Sequence, residues 1–106
     1  MEKFSITIAS DYSRILGGRW KSLGEFSGED FYETKLCPEF EKAFRHSEKL
    51  HIYLDGVISY PRSFLDQSFG ELARQKGALN VSNTIIFHTN NFNWVIDYIR
   101  NQIWKK

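Results

Sequence analysis

The alternation of apolar and polar residues between positions 50 and 54 predicts a β-strand. Leu50, Ile52 and Leu54 occupy every second position, and His51 and Tyr53 lie between them. Successive side chains of a strand point to opposite faces of a sheet, so this pattern gives one apolar and one polar face. β-Branched and aromatic residues also favour the extended chain. We therefore expect a half-buried strand here.

A helix is predicted soon after this strand, from Ser63 to Gln75. Tyr60-Pro61 precedes it, and Pro breaks regular structure because it lacks an N–H group and disfavours the α region for the residue before it. The Ser63 hydroxyl can cap the free N–H groups of the first turn, with Asp66 at the capping-box position. Apolar residues recur at helical spacing and predict one buried face, formed by Leu65, Phe69, Leu72 and Ala73.

The N-terminal quarter of the chain predicts one strand and two ambiguous segments. Apolar and polar residues alternate over residues 4–8, which indicates a first strand. Residues 11–16 fit either a short second strand or a turn, and residues 19–26 fit either an edge strand or a structured loop. Gly17-Gly18 predicts a bend that needs unusual backbone angles or close packing.

The next segment predicts helical structure. Ser27 with Asp30 forms a second capping-box pattern, which opens a helix through about Leu36. Pro38 interrupts it, although Pro is well tolerated in the first turn of a new helix. An apolar stripe then continues to about Arg45. We expect two short helices or one helix with a break.

The C-terminal third predicts a strand and a last helix. Gly77 stands where a helix C-cap is often found, and residues 78–83 are expected to be a connection. Residues 84–88 form a β-branched, apolar strand that is predicted to be central. Asn90 or Asn91 is expected to cap the last helix, whose apolar face contains Phe92, Val95, Ile96, Ile99 and Ile103.

The order of these elements predicts an α/β fold. Strand, helix, strand and helix follow one another from residue 50, and this order favours a parallel pair joined by a right-handed crossover. With the N-terminal strand added, we expect a mixed sheet of four to five strands with about three to four helices packed on it. Residues 1–106 fit a single domain.

Composition and charge narrow the function classes. The chain is 42% hydrophobic and 16% aromatic, which is enough to build a core rather than a disordered tail. A net charge of +1 gives no reason to expect a nucleic-acid partner. Cys37 is the only cysteine, so we expect no internal disulfide, no metal site and no cofactor. Without a signal-like or membrane-spanning apolar run, a cytoplasmic protein is expected.

Several motifs resemble phosphorylatable STAS domains, the anti-sigma-factor antagonists. Residues 54–57, Leu-Asp-Gly-Val, are similar to the strand end of that family, and residues 62–65 to its helix start. The segments 63–72 and 27–31 are closer to divergent STAS-like domains of unknown function. The resemblance spans about residues 18–99. Arg62 differs from the family, which usually has an acid before the regulatory serine.

The resemblance implies a non-enzymatic regulatory module. It makes Ser63 a candidate phosphoacceptor, where phosphate would change affinity for a partner of the anti-sigma or histidine-kinase-like ATPase type. We expect the partner to contact the loop before the helix and the exposed side of the helix. These candidate partner-binding residues are Asp55, Val57, Ile58, Tyr60, Arg62, Asp66, Gln67, Glu71 and Arg74.

Other interpretations remain open. Ser63 is also compatible with a simple helix cap, Asp55-Gly56 with an ordinary turn, and the apolar loop residues with core packing. Trp94 and Tyr98, four residues apart, either form an interface or cover the sheet edge. A phosphate or nucleotide could bind the loop from Asp55 to Ser63, since helix N-termini favour anions. A homo-oligomer is a further possibility.

Catalysis is the least favoured class. Ser63 or Cys37 would need a histidine base oriented by a third group. The candidate bases are His46, His51 and His88, but no Gly-x-Ser-x-Gly elbow or cysteine-centred motif accompanies them. We expect no enzymatic activity.

Overall fold

Three parallel strands form the sheet in a computed structural model that describes residues 3–105. They are β1 (Phe4–Thr7), β2 (Leu50–Tyr53) and β3 (Ile85–His88), in the order β1-β2-β3. Both pairs are parallel, with Phe4 opposite Leu50 and Leu50 opposite Ile85. The α/β class is confirmed. The prediction of a mixed sheet with four to five strands is wrong.

The two ambiguous segments near the N-terminus are not strands. Residues Ile8–Tyr12 form a π-helical turn, and the Asp11 carboxylate accepts a hydrogen bond from the Thr7 N–H at 2.7 Å, which folds the chain back. Lys21–Leu23 form a 3₁₀ turn within a structured loop. Close packing requires glycine at the first position of the Gly17-Gly18 bend, because a Cβ atom on Gly17 would lie 2.2 Å from the Glu25 carbonyl oxygen.

The strand β3 lies at an edge of the sheet, whereas a central position was predicted. Its apolar character comes from packing of one face, since the Phe87 ring contacts Phe69 and Trp104 on the core side. Its outer edge is partly covered by Arg100, whose guanidinium donates to the Ile85 carbonyl oxygen at 3.1 Å. The central strand is β2.

One continuous helical run connects β1 and β2. It comprises α1 (Gly28–Phe31), a π-helical turn (Tyr32–Leu36) and α2 (Cys37–Arg45). The Ser27 hydroxyl accepts from the Asp30 N–H at 3.0 Å, which confirms the predicted cap. The π turn ends at Leu36, two residues before Pro38, whose missing N–H would interrupt a regular α-helix. Of the two predicted alternatives, one helix with a break is confirmed, and two separate short helices are not.

The remaining helices are α3 (Arg62–Lys76), α4 (Ala78–Thr84) and α5 (Asn93–Tyr98), the last continued by a π-helical turn (Ile99–Ile103). The described chain therefore has five α-helices instead of three to four. Gly77, with φ +91°, separates α3 from α4, so the predicted connection at 78–83 is wrong. The last helix begins later than expected, after Phe92, and neither Asn90 nor Asn91 caps it.

The two faces of the sheet differ in burial. The core face carries Ile6, Ile52 and Ile85, which are buried against the helices. On the opposite face, His51, Tyr53 and His88 remain half-buried, and their side chains alternate with the core residues. Within residues 3–105 no helix is both long and apolar enough to span a membrane.

Candidate functional site

The helix α3 begins one residue before Ser63. Its N-cap is Pro61, in the extended conformation, and the first turn has no side-chain cap. Ser63 therefore lies inside the first turn, and the prediction that it caps the helix is wrong. The residue is half-buried, with its hydroxyl oxygen 3.9 Å from the position that a Cβ atom on Gly18 would take. The 17–18 bend thus lies against the start of α3.

Asp66, one turn further along α3, is the centre of a surface network. Its carboxylate accepts a hydrogen bond from the Tyr98 hydroxyl at 2.9 Å and pairs with the Arg19 guanidinium at 3.5 Å. Arg62 lies over the Tyr98 ring, 5.2 Å from its centre. Burial, together with the hydrogen bond to Asp66, raises the pKa of Tyr98. The network connects the loop before α1 with both α3 and α5.

Two shallow depressions flank Tyr98. One, of about 400 Å³, is lined by Arg62 and Trp94, and the other, of about 310 Å³, by Arg19 and Arg74. Trp94 leaves 42% of its surface exposed. We call this region the α3–α5 surface and define it by Arg19, Arg62, Asp66, Trp94 and Tyr98. The pair Trp94 and Tyr98 was recognised from its spacing, whereas Arg19 was missed because it lies far from α3 in sequence.

Three residues that we expected to contact a partner are buried. Val57 lies in the core, and Tyr60 packs edge-on against Phe92 while its hydroxyl donates to the Leu54 carbonyl at 2.6 Å. Burial raises the pKa of Tyr60. Gln67 faces α1, where a Cβ atom on Gly28 would lie 3.1 Å from its own Cβ. Val57, Tyr60 and Gln67 therefore hold the fold and do not form the predicted surface.

The other expected contact residues are accessible. Ile58 is exposed on the loop, and Arg74 is exposed on α3. Glu71 is half-buried and accepts hydrogen bonds from Gln75 at 2.7 Å and from Arg74 at 2.9 Å. These two bonds, that from Gln75 first, hold the pKa of Glu71 below its usual value.

Asp55 has a role within the fold. Its carboxylate accepts hydrogen bonds from the Thr89 hydroxyl at 2.5 Å and from the N–H groups of Asn90 and Asn91 at 2.8 and 3.2 Å. These bonds, that from Thr89 first, lower the pKa of Asp55. Asp55 therefore ties the end of β2 to the segment that follows β3, which goes beyond the ordinary turn that its sequence indicates.

Two of the three histidines form a pair, and the third lies apart from them. His51 and His88 lie on the half-buried face of the sheet, where Nδ1 of His51 is 2.8 Å from Nε2 of His88. His46 ends α2, with its Nδ1 2.8 Å from the Lys42 carbonyl oxygen. Across the part of the chain that the structure describes, no three His, Cys, Asp or Glu side chains are grouped to hold a metal ion.

Comparison with known proteins yields one match. A protein-family model described as a STAS-like domain of unknown function matches residues 27–91, a segment that runs from the cap of α1 to the loop after β3. A search of curated proteins gave no match, and neither did a search of solved structures.

Proposed function

Since the chain belongs to the family of STAS-like domains of unknown function, we propose that it acts as a protein-interaction module. The partner is a regulatory protein, of the anti-sigma or histidine-kinase-like ATPase type that the motifs around Ser63 suggest, and the setting is the cytoplasm. The module docks through the α3–α5 surface together with Ile58 and Arg74. Its role is binding and not catalysis.

The observation that carries this proposal is the composition of the α3–α5 surface. Arg, Trp and Tyr are the residues most enriched at binding hot spots, and Arg62, Trp94 and Tyr98 lie together beside two depressions. Asp66 fixes the Tyr98 hydroxyl and the Arg19 guanidinium. A surface that is ordered before binding loses less conformational entropy when a partner docks.

Phosphate on Ser63 would regulate this surface. A phosphoserine adds about −1.5 to −2 charge at pH 7, next to Arg62 and one turn from Asp66. The Ser63 hydroxyl oxygen lies 3.9 Å from the position that a Cβ atom on Gly18 would take, so a phosphate there would act on the bend that carries Arg19. Losing the Arg19–Asp66 pair would rearrange the surface that the partner contacts.

The alternative of a phosphate or nucleotide cradle in the loop from Asp55 to Ser63 finds less support. The Ile58 N–H already donates to the Arg14 carbonyl oxygen at 2.9 Å, and the Arg14 side chain donates to the Gly56 carbonyl at 3.2 Å. The first bond uses a loop N–H group that a cradle would present to an anion, and the second uses the Nε–H donor of Arg14 within the chain. Protein docking is therefore the function that we favour.

The proposal is tested by quantitative affinity capture from the source cell's lysate, with and without ATP. The baits are the full chain, Trp94→Ala, Ser63→Glu and Phe44→Ala. Phe44 is the matched control, because it is an aromatic residue with 49% exposure that lies on α2, near Lys49 and Asn83. Bound proteins are identified and quantified by mass spectrometry, and circular dichroism confirms that each variant is folded.

We expect an ATPase-type partner to be retained by the unchanged chain and by Phe44→Ala, and to be lost with Trp94→Ala and Ser63→Glu. Equal capture by all four baits would contradict docking through the α3–α5 surface. Loss with Trp94→Ala but not with Ser63→Glu would keep the docking surface and remove Ser63 as its regulator.

A further inference from the structure

A cavity lies at the carboxyl ends of β2 and β3, outside the α3–α5 surface. Its volume is about 410 Å³, and its walls are formed by Tyr53, Asp55, Phe87, His88, Thr89 and Asn90. Open α/β sheets place their ligand sites beyond the carboxyl ends of parallel strands. The position of this cavity is therefore that of a ligand site in such sheets.

Flat aromatic rings form part of its wall. The rings of Tyr53 and His88 are nearly parallel, 13° apart, with their centres 4.4 Å from each other. The His88 ring is held from a second side, where its Nε2 lies 2.8 Å from Nδ1 of His51. The two histidine rings lie 23° from parallel, with their centres 5.1 Å apart. The His88 ring is therefore fixed before any ligand enters.

The cavity carries a negative charge. Three hydrogen bonds stabilise the ionised Asp55 carboxylate and leave one of its about four acceptor positions, on Oδ2, for a further donor. Asn90 adds an amide oxygen and Thr89 a hydroxyl. The residues that line the cavity include no lysine or arginine. An entering cation would meet both a carboxylate and aromatic rings, and both attract it.

The main chain of β3 adds an acceptor. Phe87 lines the cavity, and its ring packs on the core side against Phe69 and Trp104. The His88 carbonyl accepts from Leu54 N–H on β2, at 3.0 Å. Carbonyls alternate in direction along a strand, so the Phe87 carbonyl points to the free edge.

The same edge already shows how a guanidinium fits. Ile85 lies two residues before Phe87, and its carbonyl also points to the free edge of β3. Arg100 donates a hydrogen bond to this Ile85 carbonyl. Its guanidinium lies 5.6 Å from the centre of the Phe87 ring and 5.4 Å from that of Trp104. An edge carbonyl and aromatic rings thus bind a planar cation within the chain itself.

We propose that the cavity between Tyr53, Asp55 and His88 binds a planar guanidinium group, the side chain of an arginine on the docked partner. The cation stacks on the rings and donates to the Asp55 carboxylate and to the Phe87 carbonyl. A planar fork of donors matches these separated acceptors better than the compact ammonium of lysine. Only the assignment of this arginine to a partner protein rests on the proposed docking function.

The test is a titration of the full ¹⁵N-labelled chain followed by two-dimensional NMR. The probes are arginine and lysine blocked at both ends (N-acetyl amides), blocked citrulline as the neutral isostere of arginine, and free arginine. We expect saturable shifts at the amides of His88, Thr89 and Asn90 with blocked arginine, weaker shifts with blocked lysine and none with citrulline. Free arginine should bind more weakly than blocked arginine, because its own carboxylate approaches Asp55.

Two variants and a control complete the test. Asp55→Asn keeps an oxygen for the neighbouring N–H groups but removes the charge. This variant should lower the affinity for blocked arginine by about tenfold or more. His88→Leu removes the ring wall and gives a second measurement if Asp55→Asn is unstable. Asp97→Asn, an exposed carboxylate on α5, should bind like the unchanged chain.

Equal shifts with citrulline and arginine, unchanged binding by Asp55→Asn, or no shift in the folded chain would overturn the site. Tighter binding of free than of blocked arginine would overturn its assignment to a partner side chain. Because the probes are small and soluble, the titration gives an answer even if no partner docks on the α3–α5 surface.

Discussion

The Thr89 hydroxyl donates a hydrogen bond of 2.5 Å to the carboxylate of Asp55, a residue 34 positions earlier in the chain. The same hydroxyl oxygen accepts from the Phe92 N–H at 2.9 Å, immediately before α5. One short chain of hydrogen bonds therefore runs from the end of β2 to the start of the last helix. The α5 half of the proposed docking surface depends on it for its position.

Replacing Asp55 by Ala should lower the denaturation midpoint of the protein. The change leaves the Thr89 hydroxyl and the N–H groups of Asn90 and Asn91 without their acceptor. Urea denaturation followed by circular dichroism measures the effect. Asp97→Ala, an exposed carboxylate on α5, is the control and should leave the midpoint unchanged. Equal midpoints for Asp55→Ala and the unchanged chain would mean that the three hydrogen bonds to Asp55 contribute nothing to stability.

The contribution of Asp55 should depend on pH. Its pKa in the folded chain lies below the ordinary value of 3.8, chiefly because of the hydrogen bond from Thr89. A group with a lowered folded pKa stabilises the fold fully above its unfolded pKa, and this contribution is lost as pH falls through the folded pKa. The stability difference between the unchanged chain and Asp55→Asn should therefore be constant from pH 7 to 5 and decrease below about pH 4. Urea denaturation at stepped pH would refute this if the difference grew on acidification.

The two serines that the sequence predicts as helix caps should differ in their effect on stability. Ser27→Ala removes a side chain that is 1% exposed and accepts from Asp30 N–H, so it should cost about 0.5–2 kcal/mol. Ser63→Ala removes no cap and should cost less than about 0.5 kcal/mol. The free energy of unfolding of both variants decides the question. A larger loss for Ser63→Ala than for Ser27→Ala would contradict the described start of α3.

Phe69 should be far more important for the fold than Phe44. The Phe69 ring is fully buried and contacts the rings of Phe31, Phe87 and Trp104. Phe69→Ala should therefore cost about 3–5 kcal/mol, mostly through the cavity that it leaves. Phe44→Ala, at a half-exposed ring on α2, should cost well under about half of that. A similar loss of unfolding free energy in the two variants would contradict the position of Phe69 in the core.

Local patterns were sufficient for the elements that carry the family motifs. Alternation predicted β2, and helical spacing predicted α3 to within one residue at each end. The cap of α1 was also predicted, because a capping box needs only residues three apart. In each case the signal and its structural cause lie within the same short segment.

The sheet was predicted too large because alternation alone does not show where a chain turns. The Asp11 carboxylate bends residues 8–12 into a turn, which no period of apolar residues reveals. The helix α4 was missed because its sequence, Ala-Leu-Asn-Val-Ser-Asn-Thr, has few strong helix formers. Packing of the buried Val81 against the core provides what local propensity does not.

Sequence reasoning found part of the candidate site. Arg62, Asp66, Trp94 and Tyr98 were all singled out, but the bonds that join them were not predictable, because Tyr98 lies 32 residues from Asp66. The cap assigned to Ser63 was wrong because Pro61 occupies the N-cap position, where its carbonyl oxygen accepts from the Leu65 N–H at 3.2 Å. The sequence predicts only a turn at Asp55, because the three groups that donate to its carboxylate follow β3 and lie 34 to 36 residues away along the chain.

Hydrogen–deuterium exchange of the full chain, alone and bound to its captured partner, tests the docking proposal most directly. We predict slower exchange at residues 62–67 and 94–101 in the complex, with no change around Phe44 on α2. The complex formed by Ser63→Glu, if any forms, should lose this protection. Protection confined to α2 or α4 in the complex, with α3 and α5 unchanged, would contradict the account.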